Sequence, residues 1–364
     1  MLIGHTTGQH QGFSVIGCEG AIAQSRMTDH RGTRKGFRGY NRGKAHREEQ
    51  VELAESIHIK TALFENPIMN RRLKRRIFMK MECYQPSGSF KARGIGYRCA
   101  KAVATGQTHL VSSSGGNAGY TAAYAGRVLG ARVTVVVPAN TSSKARERMA
   151  AEMAEVIVHG QYWDEADALA RQLVSETGAA YIHPFDDADV WQGHKSLILE
   201  AAQQCPQQPD AVVVAVGGGG LLCGTVAGLQ EVGWVDTTVL AVETEGADSF
   251  SAAVAAGHLV TLPAITSIAS TLGALQVTEQ ALYWAARHPI VPVVVSDGDA
   301  VRACLRFVDD MRVLVEPACG AALSLLYSQS QRLAGFETVL MVVCGGAGIT
   351  LAELREQAAR SGVD

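Results

Sequence analysis

The chain has 364 residues, 47% of them hydrophobic and 19% charged, and its formal net charge is -2. This composition excludes a disordered or collagen-like chain, and the balanced charge excludes a global field that recruits nucleic acid or an anionic membrane; the length suggests two domains. Eight scattered cysteines (Cys18, Cys83, Cys99, Cys205, Cys223, Cys304, Cys319, Cys344) form no CxxC pair and no Cys/His cluster at zinc spacing, so a reducing, cytoplasmic setting is expected.

Residues 1–54 come first, and Arg31-Gly32-Thr33-Arg34-Lys35-Gly36-Phe37-Arg38-Gly39 within them is basic, glycine-rich and without apolar periodicity. The segment predicts a disordered extension, and it contains no apolar run of the secretory kind. From Gly94 onward short apolar runs alternate with amphipathic stretches. The pattern predicts a helix over Thr121 to Leu129, a buried strand over Ala131 to Val137 stopped by Pro138, a helix over Ser143 to Ala154, a strand over Val156 to Val158 and a helix over Trp163 to Thr177. The second half repeats this grammar: strand Ala211 to Val216, helix Leu221 to Gln230, strand Val239 to Val242, helix Asp248 to Ala256 and strand Thr338 to Val343. Ala211 to Leu229 is uncharged, but four glycines at its centre suit a strand, loop and helix better than a membrane span. Such alternation predicts an α/β architecture of two open, parallel, twisted sheets flanked by helices, with ligands in a cleft beyond the carboxyl ends of the strands.

Four segments carry chemistry. Pro86-Ser87-Gly88-Ser89-Phe90-Lys91 sets a lysine after a tight polar turn, where a buried amine loses its proton readily and can form an imine; Phe90 can pack on a ring face. Ser112-Ser113-Ser114-Gly115-Gly116-Asn117-Ala118-Gly119 precedes a helix, so backbone amides can approach an anion such as a substrate carboxylate, and Asn117 can donate to a ring hydroxyl. A serine-rich N-cap is the plainer alternative there. Gly217-Gly218-Gly219-Gly220, between a valine-rich strand and a helix, suits a phosphate, whereas neither G-x-G-x-x-G nor Gly-Lys-Ser/Thr occurs. Cys344-Gly345-Gly346 follows a buried strand, so its thiol can face the cleft; the alternative is a small buried hydrophobe. His183 and His194 lack metal spacing and read as structural or exposed. An imine-forming lysine with two phosphate-type loops describes a pyridoxal phosphate site.

These motifs, with Pro184-Phe185-Asp186-Asp187, Leu229-Gln230-Glu231-Val232-Gly233-Trp234, Leu262-Pro263-Ala264-Ile265-Thr266-Ser267 and Val315-Glu316-Pro317-Ala318-Cys319-Gly320-Ala321-Ala322, resemble the serine dehydratase family of fold-type II (tryptophan synthase β-like) pyridoxal phosphate enzymes. The resemblance runs from about Ile57 to the C-terminus. It implies a large cofactor-binding domain of residues 55–89 and 186–364 and a small domain of residues 90–185. It further implies Lys91 as the cofactor-bearing lysine, Phe90 and Phe185 beside the ring, Asn117 on its hydroxyl, Gly217, Gly218, Gly219 and Gly220 on its phosphate, and Cys344 at its pyridine nitrogen. Ser114, Gly115, Gly116 and Asn117 would receive the substrate carboxylate. A potassium ion is implied at Glu243 with oxygens of Gly217, Ala247, Ser249, Leu272 and Ala274, as is a homodimer. The expected reaction is α,β-elimination of L-serine, with L-threonine as a second substrate; a racemase, a β-replacing synthase and a PLP-binding module without turnover remain as alternatives.

Two departures from the family pattern stand out. Gly115 replaces an alanine of many members, which predicts an enlarged or looser carboxylate loop. Ala347-Gly348 replaces a small-residue/Asn pair, which predicts a ring-nitrogen end held less firmly.

Overall fold

Five consecutive small or branched residues, Ala211-Val212-Val213-Val214-Ala215, are buried on both faces, as a central parallel strand requires. They lie at the heart of the larger of two sheets in the computed structural model, which describes residues 57–328 and 330–363. The expectation for residues 1–54 lies outside the described residues. In chain order the strands are β1 (Leu63–Glu65), β2 (Arg76–Lys80), β3 (His109–Ser112), β4 (Arg132–Val137), β5 (Glu155–Val158), β6 (Ala180–Tyr181), β7 (Ala211–Ala215), β8 (Thr238–Thr244), β9 (Ile290–Val295) and β10 (Thr338–Val342).

The larger sheet has the order β1-β2-β10-β7-β8-β9 and the smaller one β5-β4-β3-β6. All pairings are parallel except β1 with β2. The two orders share one feature that places the site. In the smaller sheet the chain runs outward from β3 through β4 to β5 and then returns to the other side of β3 as β6. In the larger sheet it runs outward from β7 to β9 and returns beside β7 as β10. Each return makes a topological switch point, where the loops leaving neighbouring strands part in opposite directions and open a crevice. The loops at these points are 113–116 after β3, 182–187 after β6, 216–219 after β7 and 343–350 after β10. All four contain residues singled out from sequence.

Helices follow the expected grammar with short boundary changes. Trp163–Thr177 forms as predicted, and Asn117–Leu129, Ser143–Ala151, Gly220–Glu231 and Ser249–Ala256 lie within a few residues of expectation. The smaller sheet is covered on one face through Leu110, Val133, Val135 and Ala122 and on the other through Val111, Val136, Ala166 and Ala170. Among the described residues, no helix is long and apolar enough to cross a membrane.

One buried ionic group ties these parts together. Arg93, two residues past Lys91, is wholly buried and donates to both oxygens of Glu82 (2.7 and 2.9 Å) and both oxygens of Glu200 (2.7 Å each). Lys80 of β2, also wholly buried, donates to Glu200 (2.7 Å), to Gln204 (2.8 Å) and to the Thr61 carbonyl (3.0 Å). Two cations against two carboxylates leave no net charge inside. The group thereby fixes the start of helix Lys91–Ala104 against β2 and helix Ala188–Gln204.

Candidate active site

Lys91 opens its helix, after the turn that Gly88 makes with φ +77°. Its Nζ is partly buried, donates to the Pro184 carbonyl (2.5 Å) and stands 5.2 Å from the centre of the Phe90 ring. Burial lowers the ammonium to a pKa of about 8, so about a tenth of it is free base at pH 7, far more than for an exposed lysine. Phe90 lies below the amine and against His194, with ring centroids 4.9 Å apart. His194 is fully buried, and burial keeps its imidazole neutral, well below the usual range.

The residues after β10 lock onto those before Lys91. The Phe90 amide donates to the Cys344 carbonyl (3.1 Å), the Gly346 amide donates to Gly88 (2.9 Å), and Ser89 forms a bridge with Gly345. The Cys344 thiol is buried, and its hydrogen bond with Cys319, together with burial, holds it protonated. The Ser89 hydroxyl, buried in the same turn, has no hydrogen-bond partner among the described residues.

The glycine run makes the opposite wall. Gly219 adopts φ +92° as the N-cap of helix Gly220–Glu231, and no side chain caps that helix, so its first amides remain available to an anion. A Cβ on Gly218 would stand 2.3 Å from the Phe185 ring, and one on Gly217 3.0 Å from the Leu272 backbone. Only a run without side chains lets Phe185 and Leu272 close in. Helix Asn117–Leu129 also starts without a side-chain cap, behind Gly116, and Ser114 Oγ accepts from the Gly116 amide (3.3 Å). Two open helix N-termini thus face the switch points, one suited to a phosphate and one to a carboxylate.

Asn117 is more constrained than its sequence position suggests. Its amide nitrogen donates to Glu316 (2.9 Å), and its Oδ1 accepts from the Ala347 amide (3.0 Å). Glu316 also accepts from Thr271 Oγ1 (3.0 Å) and from the Gly348 amide (2.6 Å). Burial raises this carboxyl above the ordinary range, and three donors oppose the rise. Glu316, Thr271 and the Pro184 carbonyl also border the site; Pro184 and Glu316 stand in motifs that carry the family resemblance without a site role assigned to them, and Thr271 carries no such signal.

Both expectations drawn from the departures are corrected by this geometry. A methyl group on Gly115 would stand 2.5 Å from Thr141 Oγ1, so threonine fills the space that glycine vacates and the loop is not enlarged. Ala347 and Gly348 are not loosely held, because their amides are bound by Asn117 and Glu316. A side chain at Gly348 would come within 2.8 Å of Glu316 Oε1.

Of the expected cation ligands, Glu243 is fully buried, and both its oxygens accept backbone amides, of Phe250 (2.9 Å) and Ser251 (2.8 Å). Burial lifts it to about 7. Ala247 precedes and Ser249 opens the helix whose Phe250 and Ser251 amides it binds, while the Leu272 carbonyl accepts from the Ala274 amide (2.8 Å) against Gly217.

Known proteins resemble this chain in sequence and in fold. A family model described as "Pyridoxal-phosphate dependent enzyme" matches residues 55–345. The human L-serine dehydratase/L-threonine deaminase is 47% identical over 310 residues, covering 83% of this chain and 94% of the relative. The crystal structure of a fungal L-serine ammonia-lyase from Rhizomucor miehei superposes with a TM-score of 0.80 at 38% identity, covering 84% of this chain and 99% of the other. Maize serine racemase superposes with a TM-score of 0.77 at 25% identity, covering 87% and 97%. With a match across most of its length, a lysine bonded to the loop after β6, and the glycine cradle and thiol in the loops after β7 and β10, the chain belongs to the pyridoxal-phosphate dependent enzyme family.

Proposed function

We propose that the protein is a lyase that converts L-serine to pyruvate and ammonia and accepts L-threonine, to give 2-oxobutanoate, as a second substrate. The observation that carries this reading is the Lys91 amine, lowered to about 8 and hydrogen-bonded to the Pro184 carbonyl beside the Phe185 ring that packs on the glycine run, in a chain so similar to named serine dehydratases.

The residues fit pyridoxal phosphate. The cradle at Gly217 to Gly220 has no room for a Cβ at Gly218, its uncapped helix start suits a phosphate, and the Ser89 hydroxyl has no hydrogen-bond partner among the described residues. When bound, the cofactor supplies an electron sink for the pair left as the α-proton departs. Lys91 Nζ is the base that takes that proton, and the Pro184 carbonyl orients it. Helix Asn117–Leu129, through the amides of Ser114 to Asn117, holds the substrate carboxylate. Phe90 and Phe185 flank the ring site, and Glu316 fixes the Asn117 amide so that its second N–H can serve a ring hydroxyl. Cys344 keeps its proton on Sγ, and a neutral thiol there would meet the cofactor's ring nitrogen without giving it the full charge that a carboxylate would.

Potassium, a homodimer, a cytoplasmic setting and the division into a small domain (residues 90–185) and a large one belong to the same proposal. A cation beside Glu243, with oxygens of Gly217, Ala247, Ser249, Leu272 and Ala274, would keep that buried carboxylate ionised. The free cysteines among the described residues suit a reducing compartment, and the homodimer rests on family likeness alone. The test is to supply L-serine alone and follow pyruvate through coupled NADH oxidation. Stoichiometric pyruvate and ammonia support the reading; D-serine without pyruvate would assign the chain to the racemases.

A further inference from the structure

The turn after β6 consists of His183-Pro184-Phe185-Asp186, and its last three residues touch the site directly. The Pro184 carbonyl accepts from Lys91 Nζ. The Phe185 ring lies on Gly218, and its carbonyl accepts from Trp191 Nε1 (2.7 Å). Asp186 Oδ1 accepts from Thr278 Oγ1 (2.5 Å), whose own amide donates to the Gly218 carbonyl (3.1 Å). His183 makes none of these contacts. Its Nδ1 instead accepts from two backbone amides of the turn, Phe185 (3.2 Å) and Asp186 (2.7 Å). A ring nitrogen that accepts carries no proton, so the imidazole is the neutral tautomer with its proton on Nε2. Three aromatic rings fix its plane edge-on: Phe185 at 4.8 Å, Tyr181 at 5.8 Å and Trp163 at 6.3 Å.

We propose that His183 is the positioning residue of the site: as a neutral imidazole it ties the turn that sets both the Lys91 amine and the phosphate loop, and a proton on Nδ1 unties it. The inference rests on the reading that this cleft binds pyridoxal phosphate. Its geometry is that of an Asx turn in which an imidazole nitrogen replaces the side-chain oxygen. Protonated, Nδ1 becomes a donor aimed at two donors, and the turn loses the acceptor that closes it. The charged groups around the ring come from three elements. Asp186 in the turn and Asp167 on helix Trp163–Thr177 favour the cation, whereas Arg171 on that helix and Lys91 on helix Lys91–Ala104 oppose it. Tyr181 turns its hydroxyl to Asp167 and Ser113. Burial outweighs the carboxylates and pushes the imidazole below its ordinary range, so the tie holds at neutral pH and opens in acid.

The test is titration of the apoprotein with pyridoxal phosphate for wild type, His183→Phe and His183→Asn, at neutral pH and down through the acid range, with thermal melting of each apoprotein alongside. Phenylalanine keeps the aromatic packing without an acceptor, and loss of that one hydrogen-bonding group is expected to weaken cofactor affinity about tenfold. Asparagine restores an acceptor to the same two amides, and its affinity is expected to stay within about threefold of wild type. Wild type should lose affinity as acid protonates the ring, and His183→Asn should lack that limb. A Phe variant that binds as tightly as wild type, or an Asn variant as weak as Phe, overturns the proposal. Should the Phe variant fail to fold, the acid limb of wild type against the Asn variant still decides. A wild-type protein that binds no pyridoxal phosphate at any pH is a different failure, because it overturns the cofactor reading first.

Discussion

Gly218→Ala probes the closest approach in the site. The new Cβ would stand 2.3 Å from Phe185 Cγ and Cδ2 and 2.5 Å from Cδ1, where carbon atoms at rest sit about 3.5–4 Å apart. The ring must therefore retreat by more than an ångström. It cannot do so alone, because its carbonyl is held by Trp191 and its amide by His183. Forcing one methyl group into such a contact costs about 1–3 kcal/mol, and the shift takes Phe185 and Pro184 away from the cofactor wall and the lysine. Pyridoxal phosphate affinity is expected to fall about 5- to 150-fold, with a lower melting temperature for the apoprotein. The double variant Gly218→Ala/Phe185→Ala removes the obstruction, so its affinity should exceed what the two single losses add up to. Cofactor titration followed by fluorescence, with thermal unfolding of each apoprotein, measures both quantities. Wild-type affinity and wild-type melting in Gly218→Ala would refute the idea that the glycine run exists to let Phe185 close in.

Four other outcomes follow from the charges. Arg93→Leu leaves Glu82 and Glu200 without their guanidinium and is expected to destabilise the protein by about 3–5 kcal/mol in urea unfolding, with Arg93→Lys intermediate because an ammonium cannot engage both carboxylates in a fork. With the Lys91 pKa at about 8, the free amine makes up about a tenth of the population at pH 7. The rate of cofactor incorporation should accordingly rise about tenfold per pH unit below that value and level off above it; an ordinary exposed lysine would keep rising beyond pH 10. Stability has the same sign: the unfolded chain holds this proton up to its ordinary pKa, so the contribution of Lys91 to folding improves as pH climbs from about 8 toward 10.5. Glu243→Gln should make turnover less responsive to added potassium, and an unchanged salt response would move the cation elsewhere.

The alternation of strands and helices is legible wherever residues declare their own backbone preference. Ala131 to Val137 is β-branched and ends at Pro138, and Trp163 to Thr177 has a clear amphipathic period, so both are read to within a residue. Helix Pro317–Tyr327 has no such period because every one of its residues is buried. In β2, Lys80 hides a central strand, since its charge is offset by Glu200, which lies far away in sequence. The sheet orders are equally nonlocal: nothing near Thr338 announces that β10 pairs with β2 and β7. The site divides along the same line. Lys91 and the glycine run announce themselves because tight turns and missing side chains are local facts. Glu316, Thr271 and the acceptor role of His183 arise only when separate loops meet at the switch points.

The most direct measurement is reduction of the reconstituted protein with borohydride, followed by peptide mapping of the pyridoxyl group. A single adduct on Lys91, in the peptide that contains Ser89 and Phe90, is the predicted result. An adduct on another lysine, or none after reconstitution, would contradict the assignment on which the site, the activity and the role of His183 all depend.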